Sequence, residues 1–354
     1  MIILLYLIIL LLSFYLIARV SDLYFIPSLD LISTRLNLRS DVAGATLMAV
    51  GSSAPELFIA LIAVFHPDGH ADIGMGTIVG SALFNVLVIV GATALVRNAF
   101  VAWQPILRDT LFYLIAIGIL TWVFINDEIT LLESVLLVAV YLIYILAVIY
   151  WGKIIRYKDD AVEIHEKNIT AKIKKHRFLR LLLRPLDFIL SLSFIKPRYF
   201  LFNFMISIIW IAFLSWILVE SAIAISHIMS IPESIIALTV LAIGTSVPDL
   251  MSSIIVARKG RGGMAISNAI GSNIFDILLG LGLPWLVAVL FFDHNIAVES
   301  QNIFTSVVLL LLSVLIVFFL LLLRGWKIHK PIGYILIALY IAYLTYEILS
   351  LILA

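Results

Sequence analysis

There is no cysteine in this chain of 354 residues. That excludes disulfide bridges, thiolate-held metals and cysteine nucleophiles. Charge is scarce as well: 13% of residues are charged, where a soluble domain has about one quarter. The net charge of +1 offers nothing to nucleic acid. The segment Met1 to Ile17 has neither a basic leader nor a small-residue cleavage site, so it reads as a retained first span and not a signal peptide. No phosphate-binding loop is present, which argues against an ATP-driven pump. No nucleophile–base set and no cofactor motif suggest an enzyme.

What is abundant is apolar sequence: 63% of residues are hydrophobic and the mean hydropathy is +1.17. Runs of about 20 apolar residues, enough to cross a bilayer, recur along the whole length. The expected spans are 2–18, 40–65, 73–96, 105–125, 129–151, 200–222, 234–257, 263–291, 303–323 and 332–352. One polar segment, 152–198, separates two halves, 1–151 and 199–354. The expected class is an all-α membrane protein of ten transmembrane helices. No Lys or Arg is expected in the spans. All 23 Lys and Arg residues are assigned to the odd-numbered connections, Arg108 to the third although it lies just inside the start of the expected fourth span; 12 of them lie in 152–198, among them Lys172, Lys174, Lys175 and Arg177. By the positive-inside rule the 152–198 loop faces the cytoplasm and both termini face outside. Five spans per half is an odd number, so the second half enters from the opposite side. The architecture is two inverted-topology five-helix repeats related by a two-fold axis in the membrane plane.

Within this apolar chain one polar passage occurs twice. Residues 51–57, Gly-Ser-Ser-Ala-Pro-Glu-Leu, answer 244–250, Gly-Thr-Ser-Val-Pro-Asp-Leu, at an offset of 193. Gly80-Ser81-Ala-Leu-Phe84-Asn85 answers Gly271-Ser272-Asn-Ile-Phe275-Asp276 at an offset of 191. The signature segments run over about 40–96 and 234–291. Four pairs sit at helical spacing and share a face: Ser52 with Glu56, Thr245 with Asp249, Ser81 with Asn85, and Ser272 with Asp276. Ser53 and Ser246 join those faces. The set is all oxygen, which suits Ca²⁺, Na⁺ or K⁺ and not zinc or copper. Pro55 and Pro248 lack N–H groups, so the carbonyls of Gly51 and Gly244 lose their helical partners and become further oxygen donors. Acids inside a membrane are functional by default. With no cation of the chain beside them, Glu56, Asp249 and Asp276 need exchangeable cations or protons. Asn268 reads as a packing group, and Asn273 is ambiguous because its counterpart, Ala82, has no oxygen. His66, Asp68, His70 and Asp72 read as a solvated outer loop, while Glu133 and Glu347 are expected to reach water.

These passages resemble the signature motifs of the cation/Ca²⁺ exchanger superfamily. Pro248-Asp249, Val256-Ala-Arg-Lys-Gly260, Gly76 to Asn85 and Ser267 to Asp276 are most similar to the K⁺-dependent sodium/calcium exchanger branch. The motif match covers about 100 residues, and the 152–198 loop is far shorter than in the animal members. The resemblance implies a secondary active antiporter that exchanges Na⁺ for Ca²⁺ by alternating access, the first and sixth spans sliding as gates. It implies Glu56 and Asp249 as central ligands, completed by Ser52 and Thr245. Ser53, Ser81, Ser246 and Ser272 would line flanking Na⁺ sites, and Asn85 and Asp276 would form a symmetry-related polar pair. Asp276 occupies the position tied to K⁺ in that branch, so K⁺ co-transport is a third expectation. The partners are then the transported ions and the lipid bilayer, with no cofactor and no protein partner required. The expected location is a prokaryotic cytoplasmic membrane. A Ca²⁺/H⁺ antiporter is the alternative, and a passive cation channel the third reading.

Overall fold

The computed structural model describes residues 2–35, 42, 44–66, 70–97, 99–126, 128–154, 187, 188, 190–258, 260–292, 296, 297 and 301–353. The basic run at Lys172 and the acid Asp68 lie outside the described residues.

Among the described residues, nine helices are long and apolar enough to cross a membrane. A tenth span is formed by Ala45–Ser52 and Ala54–Phe65, two pieces bent by 54° at Ser53. The nine are Ile2–Phe25, Ala71–Val96, Trp103–Ile125, Leu131–Trp151, Phe200–Met229, Glu233–Arg258, Gly262–Phe292, Ile303–Leu323 and Lys330–Leu349. The ten expected spans are all present. Two are longer than hydropathy suggested. The first continues through a π-turn, Ser21–Phe25, into a further helix, Ile26–Arg35. The sixth runs for 30 residues, Phe200–Met229. In the first, the added residues include Arg19, Asp22, Asp30 and Arg35, too polar to register as part of an apolar run.

Each span buries what its spacing dictates. In the first, Leu10, Ser13, Ile17 and Val20 are buried at intervals of three and four, a single stripe. Leu4, Leu7, Ile8 and Leu11 are exposed on the other side, where lipid would be. That stripe packs on the sixth span, whose buried face includes Ser207, Ile211, Leu214, Ser215 and Leu218. Small hydroxyl residues at such faces let membrane helices approach closely.

The second, third, seventh and eighth spans form the centre. The third packs on the seventh, and the eighth on the second, across the two halves. Outer spans flank them in matched fashion. The tenth and ninth lie on the third, as the fifth and fourth lie on the eighth. The aromatic contacts follow the same two-fold. Phe84 meets Tyr340 edge-on at 5.4 Å, and Phe275 meets Tyr141 edge-on at 5.7 Å. Two short antiparallel ladders close the ends. Ala99–Phe100 pairs with Lys327–Ile328, and Glu128–Ile129 pairs with Ile296–Ala297. The first ladder joins odd-numbered connections and the second joins even-numbered ones, so they sit at opposite faces of the bundle.

The expectation of no cation within the spans is corrected by Arg108. It lies inside the helix Trp103–Asn126, is 1% exposed, and donates to Asp109 at 2.7 Å. Asp109 also accepts from Tyr144. A buried guanidinium needs such a partner, and here the partner is its own neighbour and none of the three repeat acids.

Candidate functional site

The repeat passages fold as broken helices. Ala49–Ser52 ends at Ser53, with φ −93° and ψ 8°, and Ala54–Phe65 restarts with a proline in its first turn. In the second half Ala242–Thr245 ends at Ser246, with φ −78° and ψ 0°, before Val247–Arg258. The ladder bridges each break. Ser53 N–H donates to Ala49 O at 3.0 Å, and Ser246 N–H donates to Ala242 O at 3.2 Å. The prolines leave the Gly51 and Gly244 carbonyls without a helical donor. Glu56 and Asp249 fall in the first turns after the breaks, where a helix dipole favours negative charge.

Besides the π-turn at Ser21–Phe25, which has no matched partner among the described residues, each half carries two matched π-turns, Gly44–Met48 with Asn85–Ile89 and Ala237–Leu241 with Asp276–Leu281. Their starts keep the offsets of 193 and 191. Such turns are rare and gather at functional sites. They shape the site directly. The Ser52 hydroxyl donates to Met48 O at 2.8 Å, and the Thr245 hydroxyl to Leu241 O at 3.0 Å, each the last residue of a π-turn. A hydroxyl that has given its hydrogen to the backbone presents only lone pairs outward.

All ten expected site residues, Ser52, Ser53, Glu56, Ser81, Asn85, Thr245, Ser246, Asp249, Ser272 and Asp276, are fully buried. Several meet across the halves. Ser246 donates to Ser81 at 2.9 Å, and Ser81 donates to Glu56 Oε1 at 3.4 Å. Asn85 donates to Asp249 Oδ2 at 3.2 Å, and Ser272 donates to Asp249 Oδ1 at 3.0 Å. Thr245 lies near Glu56 and Ser52 near Asp249, each hydroxyl beside the acid of the other repeat. Ser53 faces Asp276 without reaching hydrogen-bond geometry.

What is left over defines the chemistry. Glu56 Oε2, both Asp276 oxygens, Asn85 Oδ1, Asn268 Oδ1 and Ser53 Oγ are buried without a hydrogen-bond partner. Every one of these atoms can accept. A cluster of buried acceptors without donors is costly unless cations or protons fill it. Among the described residues no three His, Cys, Asp or Glu side chains gather closely enough to hold a metal by themselves. An ion here would draw on hydroxyl, amide and backbone oxygens besides the carboxylates, as hard monovalent and divalent cations do.

Three residues contribute more than their sequence suggested. Asn273 donates to Ala82 O at 3.1 Å and to Tyr113 Oη at 2.8 Å, and accepts from Asn85 at 2.9 Å. Asn268 donates to Ser253 at 3.1 Å and reaches Asp249 Oδ1 at 3.5 Å, the outer limit of a hydrogen bond. Tyr113, on the fourth span, left no signal in the sequence, since a tyrosine in an apolar helix reads as packing. Asn273 did leave one, as a polar mismatch beside Ser272.

Other acids are corrected. Glu133 and Glu347, expected to reach water, are buried. Glu133 accepts from the N–H and hydroxyl of Thr130, both at 2.8 Å, and Glu347 accepts from Ser306 at 2.8 Å. The outer histidines are also partnered. His70 Nδ1 lies 2.7 Å from Glu233 and His66 Nε2 lies 3.5 Å from Glu220.

An inverted pair of five-span repeats with an oxygen-lined, fully buried centre defines an alternating-access cation transporter as the class. A family model described as sodium/calcium exchanger protein matches residues 5–150 and 199–349. The chain belongs to the sodium/calcium exchanger family, a family of transporters. It is 30% identical to human sodium/potassium/calcium exchanger 5, over 98% of this chain and 83% of that one. It is 29% identical to human sodium/potassium/calcium exchanger 4, over 95% of this chain and 79% of that one. Among solved structures it resembles the sodium-calcium exchanger NCX_Mj soaked with 10 mM Na⁺ and zero Ca²⁺. There the TM-score is 0.61 at 26% identity, covering 97% of this chain and 99% of that one.

Proposed function

We propose that this chain is a secondary active antiporter that moves Na⁺ inward and Ca²⁺ outward across a prokaryotic cytoplasmic membrane, with K⁺ accompanying Ca²⁺. The observation that carries the reading is the set of buried acceptor oxygens on the two repeats, with Glu56 and Asp249 among them, left without donors at Glu56 Oε2 and Asp276. Glu56 and Asp249 hold Ca²⁺ between them, with lone pairs from Ser52 and Thr245 and the carbonyls of Gly51 and Gly244. The same oxygens, with Ser53, Ser81, Ser246 and Ser272, hold Na⁺ instead, so the two ions compete. Asn85 and Asp276 form a further lobe, and K⁺ is assigned to Asp276. The sodium/potassium/calcium exchangers among the relatives support that assignment. An empty site keeps its buried carboxylates uncompensated, which resists crossing the low-dielectric barrier and enforces exchange over leak. The first and sixth spans, packed on each other along their length, slide together as the gate. The 152–198 loop faces the cytoplasm and both termini face outside.

The test is radiocalcium uptake by inverted vesicles under imposed Na⁺, K⁺ and pH gradients, each varied alone. Wild type should take up Ca²⁺ with the Na⁺ gradient, and Glu56→Gln should abolish that uptake. Uptake unchanged in Glu56→Gln removes the central claim. Uptake driven by the pH gradient alone replaces Na⁺ with H⁺, and uptake with no counter-ion gradient makes the protein a channel. Indifference to K⁺ removes its assignment.

A further inference from the structure

We infer that Tyr113 and Asn273 are positioning residues that lock the Asn85 amide with its carbonyl oxygen turned into the ion path. The inference rests on the reading of Asn85 as an ion ligand.

The chain of reasoning begins at Ala82. Its backbone carbonyl can only accept, so the Asn273 group facing it at 3.1 Å must be the NH₂. That NH₂ has two hydrogens. The second goes to Tyr113 Oη at 2.8 Å, which saturates the nitrogen. Asn273 can then offer Asn85 only its oxygen, so Asn85 must present its own NH₂, at 2.9 Å. Asp249, an acceptor 3.2 Å away, demands the same orientation. Both Asn85 hydrogens are spent, and its Oδ1 is left buried and without a partner. The orientation follows from which groups can donate and does not depend on telling amide N from amide O.

The arrangement uses the repeat symmetry and breaks it. Ala82 occupies in the first repeat the place that Asn273 occupies in the second. Asn273 therefore hydrogen-bonds to the backbone of its own counterpart. By the same repeat correspondence the place that Asn273 holds for Asn85 falls to Ala82 for Asp276, which offers no side-chain donor, and neither Asp276 oxygen has a hydrogen-bond partner. Tyr113 lies on the fourth span, outside the repeat passages and 160 residues from Asn273 in sequence. It is 1% exposed, so its hydroxyl holds Asn273 without competition from bulk water. Without Tyr113 the Asn273 amide loses one of the two acceptors that fix it. Its rotation would let Asn85 turn its NH₂ toward the cation, where an amide repels instead of coordinating.

The experiment uses the full-length protein in liposomes, with Na⁺-driven radiocalcium uptake giving KM for Ca²⁺, Na⁺ and K⁺ separately from kcat. Tyr113→Phe should raise the KM of a transported cation about tenfold, with kcat changed less than about twofold. Asn85→Ala should raise it further. The double variant should match Asn85→Ala alone, because a lock acts only through what it locks. Asn273→Leu breaks the chain one link later and should behave as Tyr113→Phe does. It decides the matter if Tyr113→Phe does not reach the membrane. The inference is overturned if Tyr113→Phe leaves all three KM values unchanged while Asn85→Ala raises one. It is also overturned if its effect persists undiminished on the Asn85→Ala background, which would mark a packing role. If Asn85→Ala itself changes no KM, the ligand reading of Asn85 fails and the lock has nothing to position.

Discussion

Glu56 and Asp249 stand at equivalent places in the two halves, but their surroundings differ. Asp249 accepts from Ser272 at 3.0 Å and from Asn85 at 3.2 Å, so both of its oxygens are engaged. Glu56 accepts from Ser81 at 3.4 Å, and its other oxygen has no donor. The same inequality recurs at the next pair. Asn85 is tied down through two hydrogens, while both oxygens of Asp276 are left without donors. Each half thus contributes one held group and one free group, and the free groups are the two carboxylates with spare oxygens. The duplicated fold supplies the enclosure, and its departures from symmetry decide where a cation gains most.

The comparison can be broken most forcefully at the backbone. A Cβ on Gly80 would lie 2.3 Å from Leu238 O and 2.7 Å from Ala242 Cβ, where the third span crosses the seventh. On Gly271, its counterpart, a Cβ would lie 2.9 Å from Ala45 Cα and O. Overpacking of this kind costs about 1–3 kcal/mol and sometimes more. Gly80→Ala should reach or pass the upper end of that range, and Gly271→Ala should stay within it. Thermal unfolding in detergent would show this, and equal losses would mean that the halves are packed alike. Next come the serines. Ser272→Ala removes the shorter bond to a carboxylate and should raise the KM for Ca²⁺ about tenfold. Ser81→Ala removes the longer one and should raise it about threefold. A reversed order in transport assays would mean that Glu56, and not Asp249, is the better-held acid. The smallest effect is expected at a clasp between the first span and the segment that joins the halves. Arg19 donates to both oxygens of Asp187 at 2.9 Å, and Tyr15 adds a third bond. With side chains 22% and 28% exposed, Arg19→Ala should cost no more than about 1 kcal/mol in the same melts.

The polar half of the site was legible in the sequence because polarity is expensive in apolar helices. Glu56, Asp249 and Asp276 stood out against their surroundings, and the repeat paired them with Ser52, Thr245 and Asn85 without any coordinates. The ten spans were legible for the same reason, through the alternation of Lys and Arg between connections. Other features gave no such signal. Tyr113 is an aromatic in an apolar helix and looks like its neighbours until its hydroxyl is placed beside Asn273. Arg108 sat close enough to a span end to be counted as a connection, although Asp109 beside it was a hint that the charge was paired internally. Glu347 and Glu133 looked solvated because hydropathy cannot see Ser306 or Thr130 reaching them. The π-turns were invisible, because hydropathy and residue propensity do not distinguish a π-turn from the α-turns around it.

The four matched π-turns also set which way the chain faces. A π-turn holds one residue more than the α-turn it replaces, so it rotates the face shown by every later side chain of that helix by about 100°. They stand at Gly44 and Ala237, 193 apart, and at Asn85 and Asp276, 191 apart. Two such rotations at matching places keep the polar faces of the two halves in the same relation to each other. The two-residue difference between the offsets falls between the two turns of a half. It lies between Leu57 and Gly76, in the stretch that carries His66 and His70.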